Sequence, residues 1–115
     1  MTKSGDGAEA ERIAGAFLQA RGLTLIDRNY RCRSGEIDLI LEHGGTLVFV
    51  EVRLRRSGNF GGAAASVTHA KQARILRAAR HYLAGRPEPR CRFDVVLLDR
   101  LAPEAAEWIQ DAFGE

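Results

Sequence analysis

Residues 35–53 read GEIDLILEHGGTLVFVEVR, two apolar runs on either side of Gly44-Gly45. Paired glycines between β-type runs signal a hairpin, because the two-residue turns that match strand twist need positive φ angles that glycine adopts cheaply. A two-residue turn sets His43 opposite Thr46, and the same register carried back along both strands sets Asp38 opposite Glu51 and Glu36 opposite Arg53. Opposed side chains on one face of an antiparallel pair have Cβ atoms only about 4.5–5.5 Å apart, and like charges there repel. Asp38 and Glu51 also lie within apolar runs, so desolvation adds to the repulsion. Something must offset that cost. A divalent cation such as Mg²⁺, held by one or two carboxylates with waters and phosphate oxygens, is one answer. Ion pairing with Arg53 or a helix-borne Arg on an edge strand is another, and a proton shared by the two acids is a third.

Around this hairpin the chain divides at Gly, Pro and Asn. Ala10, Ile13, Ala14, Phe17 and Leu18 recur at helical spacing, so a first helix is expected over about residues 7–21, stopped at Gly22. Leu23 to Arg33 reads as a strand joined to the hairpin through Ser34-Gly35. Residues 55–66, with Gly58, Asn59, Gly61 and Gly62, read as a mobile loop. A second amphipathic helix follows over about 67–84, with Thr68 as its cap and Gly85, Pro87 and Pro89 ending it. Arg92 to Asp99 carries a continuous apolar run, the pattern of a strand covered on both faces. A short C-terminal helix is expected near 103–113, anchored by Trp108, Ile109 and Phe113. Helix, three strands, helix and strand form an α/β or α+β domain whose mixed central sheet is flanked by helices.

With 115 residues and 45% hydrophobic content, the chain suits one domain spanning 1–115. It has no apolar run long enough for a bilayer or a secretory leader, so a cytoplasmic protein without a membrane partner is expected. Cys32 and Cys91 form no C-x-x-C pair, which removes metal-knuckle and redox-motif readings. The net charge of +2 is distributed unevenly. Residues 57–98 hold seven Lys/Arg against Glu88 and Asp94, and 99–115 hold Arg100 against five acids. Such a basic centre is either a solvated helix face or a phosphate-binding surface.

Glu11 lies at the edge of the first helix's apolar stripe, one and two turns before Ala14 and Leu18. It either looks toward the sheet as a third acid or faces solvent in the first turn, where it favours the helix dipole. Taken together, Gly7-x-x-Ala10-Glu11, Arg28-Asn29-Tyr30-Arg31, Gly35-Glu36-Ile37-Asp38-Leu39-Ile40, Phe49-Val50-Glu51-Val52-Arg53, Phe60-Gly61, Lys71 and Arg92-Phe93-Asp94-Val95-Val96 resemble the YraN-like family of small bacterial proteins. The resemblance runs over nearly the whole chain and implies a restriction-endonuclease-like αβββαβ core, similar to that of archaeal Holliday-junction resolvases. It implies metal-dependent nuclease chemistry, with Asp38 and Glu51 as ligands of Mg²⁺ or Mn²⁺ and Glu11 as the helix acid. Glu36 and Gly35 belong to the same motif.

One departure bears on catalysis: the family signature, PD-(D/E)xK, has Lys where this chain has Arg53. A guanidinium binds phosphate bidentately, but its pKa above about 12 removes it as a general base. The chain has fifteen Arg and only Lys3 and Lys71. Lys71 is therefore either a relocated catalytic lysine or a solvated cation. Arg28, Arg31, Arg33, Arg55, Arg56, Lys71 and Arg74 are candidates to frame the acids and bind nucleic acid, DNA in the first instance. Tyr30 and Phe60 are either base-stacking groups or packing anchors. Two functions are consistent with this pattern: an endonuclease acting on DNA, branched or flapped forms included, and a catalytically inactive DNA-binding or protein-interaction module of the same fold. A homodimer through a sheet edge is compatible with either.

Overall fold

The computed structural model describes residues 5–55, 67–87 and 90–114. Helix α1 (Gly5–Ala20) leads into strands β1 (Thr24–Cys32), β2 (Gly35–His43) and β3 (Thr46–Leu54). Among the described residues, helix α2 (His69–Leu83), strand β4 (Arg90–Leu98), a single 3₁₀ turn (Pro103–Ala105) and strand β5 (Ala106–Phe113) follow. The five strands lie in sequence order in one sheet. Only β3 and β4 run parallel, across the α2 connection; the other neighbours are antiparallel. The expected αβββαβ order of an α+β domain is present, with one strand added.

The hairpin register is the one the glycines dictate. His43 pairs with Thr46 and the ladder runs without slippage to Leu39↔Val50. Alternation then sends each strand's apolar residues into two layers. Ile75, Ala78, Ala79 and Tyr82 of α2 pack with Ile40, Phe49, Phe93, Val95 and Leu97 on one face. Ala14 and Leu18 of α1 pack with Leu39, Leu41, Val48, Val50 and Val96 on the other. β4 is buried over its last six residues because both helices cover it. Thr68 caps α2 as expected, its Oγ1 accepting from the Lys71 N–H at 3.1 Å. Among the described residues no helix is long and apolar enough to cross a membrane.

The expected C-terminal helix near 103–113 is not formed; only the 3₁₀ turn Pro103–Ala105 is helical, and β5 follows it. The outer edge of β4 presents unpaired backbone groups that a strand satisfies and a helix does not. β5 supplies them from Ala106 to Phe113, with a slip opposite Phe93–Val95 where Asp111 takes φ 53°. Trp108, Ile109 and Phe113 do serve as anchors, but on two faces of a strand: Trp108 toward the α1 side, Ile109 and Phe113 toward the α2 side. The expected loop lies outside the described residues except for Arg55.

Candidate metal centre

β2 and β3 part just where the acids begin. Beyond Leu39↔Val50, Asp38 Oδ2 accepts a hydrogen bond from the Val52 N–H at 2.9 Å, so a side chain takes the place of a strand-to-strand backbone bond. The faces of β2 shift at the same residue. Ile37 and Ile40 belong to the α2 layer, whereas Leu39 and Leu41 belong to the α1 layer. Strict alternation would have kept Ile37 with Leu39. On the other flank Asn29 of β1, between the pairs Arg28↔Leu39 and Tyr30↔Ile37, has φ 54°. Irregularities in three adjacent strands converge on Asp38.

Around this opening stand four carboxylates. Asp38 and Glu51 are each 4% exposed and Glu11 is 6% exposed, although acidic side chains are almost never fully buried unless partnered. Carboxylate oxygens of Glu11, Glu36 and Asp38 lie within 4.8 Å of one another. Glu51 adjoins Asp38 from β3. Its Oε2 lies 3.5 Å from Arg53 Nη1 and 3.6 Å from Lys71 Nζ. Its Oε1 is buried and accepts from no donor, and when the carboxyl is protonated it shares a hydrogen bond with Asp38. Burial, and then the neighbouring Asp38 carboxylate, push the Glu51 carboxyl up to about 8 against the opposing pull of Lys71 and Arg53.

Lys71 reaches this place because α2 approaches the start of β2 closely. A Cβ on Gly35 would stand 3.1 Å from the Arg74 carbonyl oxygen and 3.2 Å from Arg74 Cβ, so the glycine that opens β2 also seats the helix. Lys71 lies one turn before Arg74 on that helix.

The predicted residues are sorted accordingly. Asp38 and Glu51 meet through the opening of the ladder, and Glu11 faces the sheet rather than solvent. Glu36 joins the acids and lies 3.5 Å from Arg31 of β1. Arg55 is held by Asp99 at 2.7 Å and Glu107 at 3.4 Å, tied to the C-terminal segment. Arg28, Arg33 and Arg74 are exposed; Arg56 and Phe60 lie outside the described residues. Tyr30 packs edge-on against Tyr82 at 5.1 Å, the anchoring role. Two polar residues that the sequence showed only as members of family motifs, with no role of their own, matter here. Asp94 is fully buried in β4, and Asn29 is an asparagine within a strand, where that residue is depleted.

The donors are all oxygens, the ligand chemistry of Mg²⁺ or Mn²⁺ rather than of a thiolate-loving metal. The unsatisfied Glu51 Oε1 is a lone pair that such an ion would use. The residues present therefore fit a divalent cation.

Two helices and a five-strand sheet among the described residues, with acids gathered where the hairpin opens, define the class: an α+β protein with an αβββαβ core and a buried carboxylate site. The model of the uncharacterised protein family UPF0102 matches residues 10–98. A UPF0102 protein of Nitrosomonas europaea is 56% identical over 117 residues, covering 100% of this chain and 99% of its own length. Another, of Ralstonia nicotianae, is 57% identical over 114 residues, covering 94% and 85% respectively. A third, of Methylobacillus flagellatus, is 50% identical over 113 residues, with 98% of each chain covered. The chain belongs to the UPF0102 family, the one to which its YraN-like motifs pointed.

Proposed function

We propose that this chain is a nuclease-like protein in which Asp38 and Glu51, with Glu11 beside them, hold Mg²⁺ or Mn²⁺ at a surface that receives the phosphodiester backbone of DNA. The observation that carries this reading is the Glu51 carboxylate, 4% exposed, set against Asp38 with one oxygen unsatisfied. Such an ion, when bound, polarises a phosphate oxygen and lowers the pKa of a water. The chain's own residues do the rest. The Val52 N–H fixes the Asp38 carboxylate by its Oδ2. Arg53, with a 42% exposed side chain, is placed to receive a phosphate, and Lys71 brings a compact ammonium from the opposite element.

A cleavage panel of single-stranded, duplex, flap and four-way DNA with Mg²⁺ or Mn²⁺ tests this. Metal-dependent cleavage is expected, and Asp38→Ala is expected to abolish it. Arg53→Lys, which restores a side chain able to orient and deprotonate water, is expected to cleave faster by on the order of tenfold or more. Cleavage that survives Asp38→Ala would remove the site.

The arginine at position 53 favours a second reading, a module that binds DNA without cutting it. Binding is then salt-sensitive in the absence of any product. Neutralising a phosphate-contacting Lys71 with Lys71→Met is expected to lower the slope of log K against log salt by about one. An unchanged slope would mean that Lys71 touches no phosphate.

A further inference from the structure

Counted by register from the flanking pairs, Asn29, Asp38 and Glu51 fall in one row of three adjacent strands, at the point where the paired ladders are interrupted. Asn29 falls opposite Asp38 between the flanking β1–β2 pairs, and Asp38 falls opposite Glu51 one step beyond the last β2–β3 pair. Both outer members carry the same defect. Asn29 Oδ1 and Glu51 Oε1 are acceptor oxygens with no solvent-accessible surface and no hydrogen-bond partner. A buried acceptor left unsatisfied costs about 1–3 kcal/mol. Asn29 in addition holds a left-handed φ of 54° in mid-strand, which costs a residue other than glycine roughly 1–2 kcal/mol. A side chain whose oxygen repaid that strain locally would be hydrogen-bonded, and this oxygen is not.

We propose that the Asn29 amide oxygen is a further, neutral ligand of the divalent cation; the inference rests on the metal reading of Asp38 and Glu51. The charge balance favours it. Glu11, Glu36 and Asp38 already offer up to three negative charges within reach of one doubly charged ion, with Glu51 beside Asp38, so a further anion would add repulsion. A carbonyl oxygen fills a coordination position without that penalty, and Mg²⁺, Mn²⁺ and Ca²⁺ all accept amide oxygens. The strand position matters as well: β1 is the one neighbour of β2 that contributes no acid to this row.

The test is Mn²⁺ binding to the full chain, followed by calorimetry and by loss of the free-ion paramagnetic resonance signal, with thermal melting of each metal-free variant alongside. Asn29→Gly accepts the left-handed φ without strain, so its metal-free melting temperature is expected to equal or exceed that of the natural chain. Its Mn²⁺ affinity is nevertheless expected to fall by roughly tenfold or more. Asn29→Asp keeps an oxygen in place and is expected to bind Mn²⁺ more tightly than Asn29→Gly while melting lower than the natural chain without metal. If Asn29→Gly binds Mn²⁺ as well as the natural chain, while Asp38→Asn does not, the metal reading holds and Asn29 serves the backbone alone. If the natural chain fails to bind Mn²⁺, or Asp38→Asn binds unchanged, both the inference and the reading beneath it fall.

Discussion

Glu51→Gln is expected to stabilise the metal-free protein at pH 8 by on the order of 3 kcal/mol, roughly 10 °C in melting temperature, and by less than about 1 kcal/mol at pH 5. The sign follows from the direction of the shift. The folded chain keeps a proton on Glu51 up to about pH 8, whereas the unfolded chain releases it near the ordinary value of 4.5. Across that window the folded state binds the extra proton, so its stability falls as pH rises and stays low above 8. Below the unfolded value both states are protonated and the difference vanishes. Glutamine has the shape of the protonated acid and does not titrate, so the slope attributable to this position disappears. Metal reverses the ranking. A divalent ion stabilises the natural chain by binding only its folded form, and displaces the proton as it does so. Glu51→Gln is expected to lose most of that gain. Melting curves from pH 5 to 8, with and without Mg²⁺, check all of this. A natural chain whose metal-free melting temperature is flat across that range would contradict the account of Glu51.

Much of the site was legible because a two-glycine turn leaves only one register. Once His43 faces Thr46, the meeting of Asp38 and Glu51 needs no knowledge of the tertiary fold. What register arithmetic misses is that two such acids do not tolerate direct pairing. The ladder stops at Leu39↔Val50, Asp38 turns to the Val52 N–H, and Glu36 pairs with Arg31 of β1. Burial of Glu11 was visible only as an alternative, since a residue at the edge of a helical stripe is assigned by what packs there. The C-terminal segment was misread for a different reason. Trp108, Ile109 and Phe113 satisfy a helical spacing, but the free edge of β4 and the buried Asp94 decide in favour of a strand. Neither can be seen without the sheet.

Asp94 is the group on which that strand depends, and Asp94→Ala is expected to destabilise the protein by about 3–5 kcal/mol. Its side chain is fully buried, yet both oxygens are engaged: Oδ1 accepts from the Asp111 N–H at 2.9 Å and Oδ2 from Trp108 Nε1 at 2.9 Å, while Arg92 Nε lies 3.1 Å from Oδ1. Arg92 in turn contacts His43 Nδ1 at 3.0 Å, which ties the β2–β3 turn into the same network. Alanine would leave an indole N–H, a backbone N–H and a guanidinium facing a space with no acceptor, and would remove what fixes the left-handed Asp111 at the slip in β5. Asp94→Asn preserves volume but turns one acceptor into a donor aimed at another donor, a loss of about 1–3 kcal/mol. Because Trp108 is the single tryptophan, its fluorescence reports this locus alone. A red-shifted emission and faster amide exchange over residues 106–113 are expected in Asp94→Ala, with less change in Asp94→Asn. Mn²⁺ binding is expected to survive where the domain still folds, since β5 supplies no member of the acid group. Emission and stability unchanged in Asp94→Ala would show that the pairing of β5 with β4 holds without its buried carboxylate.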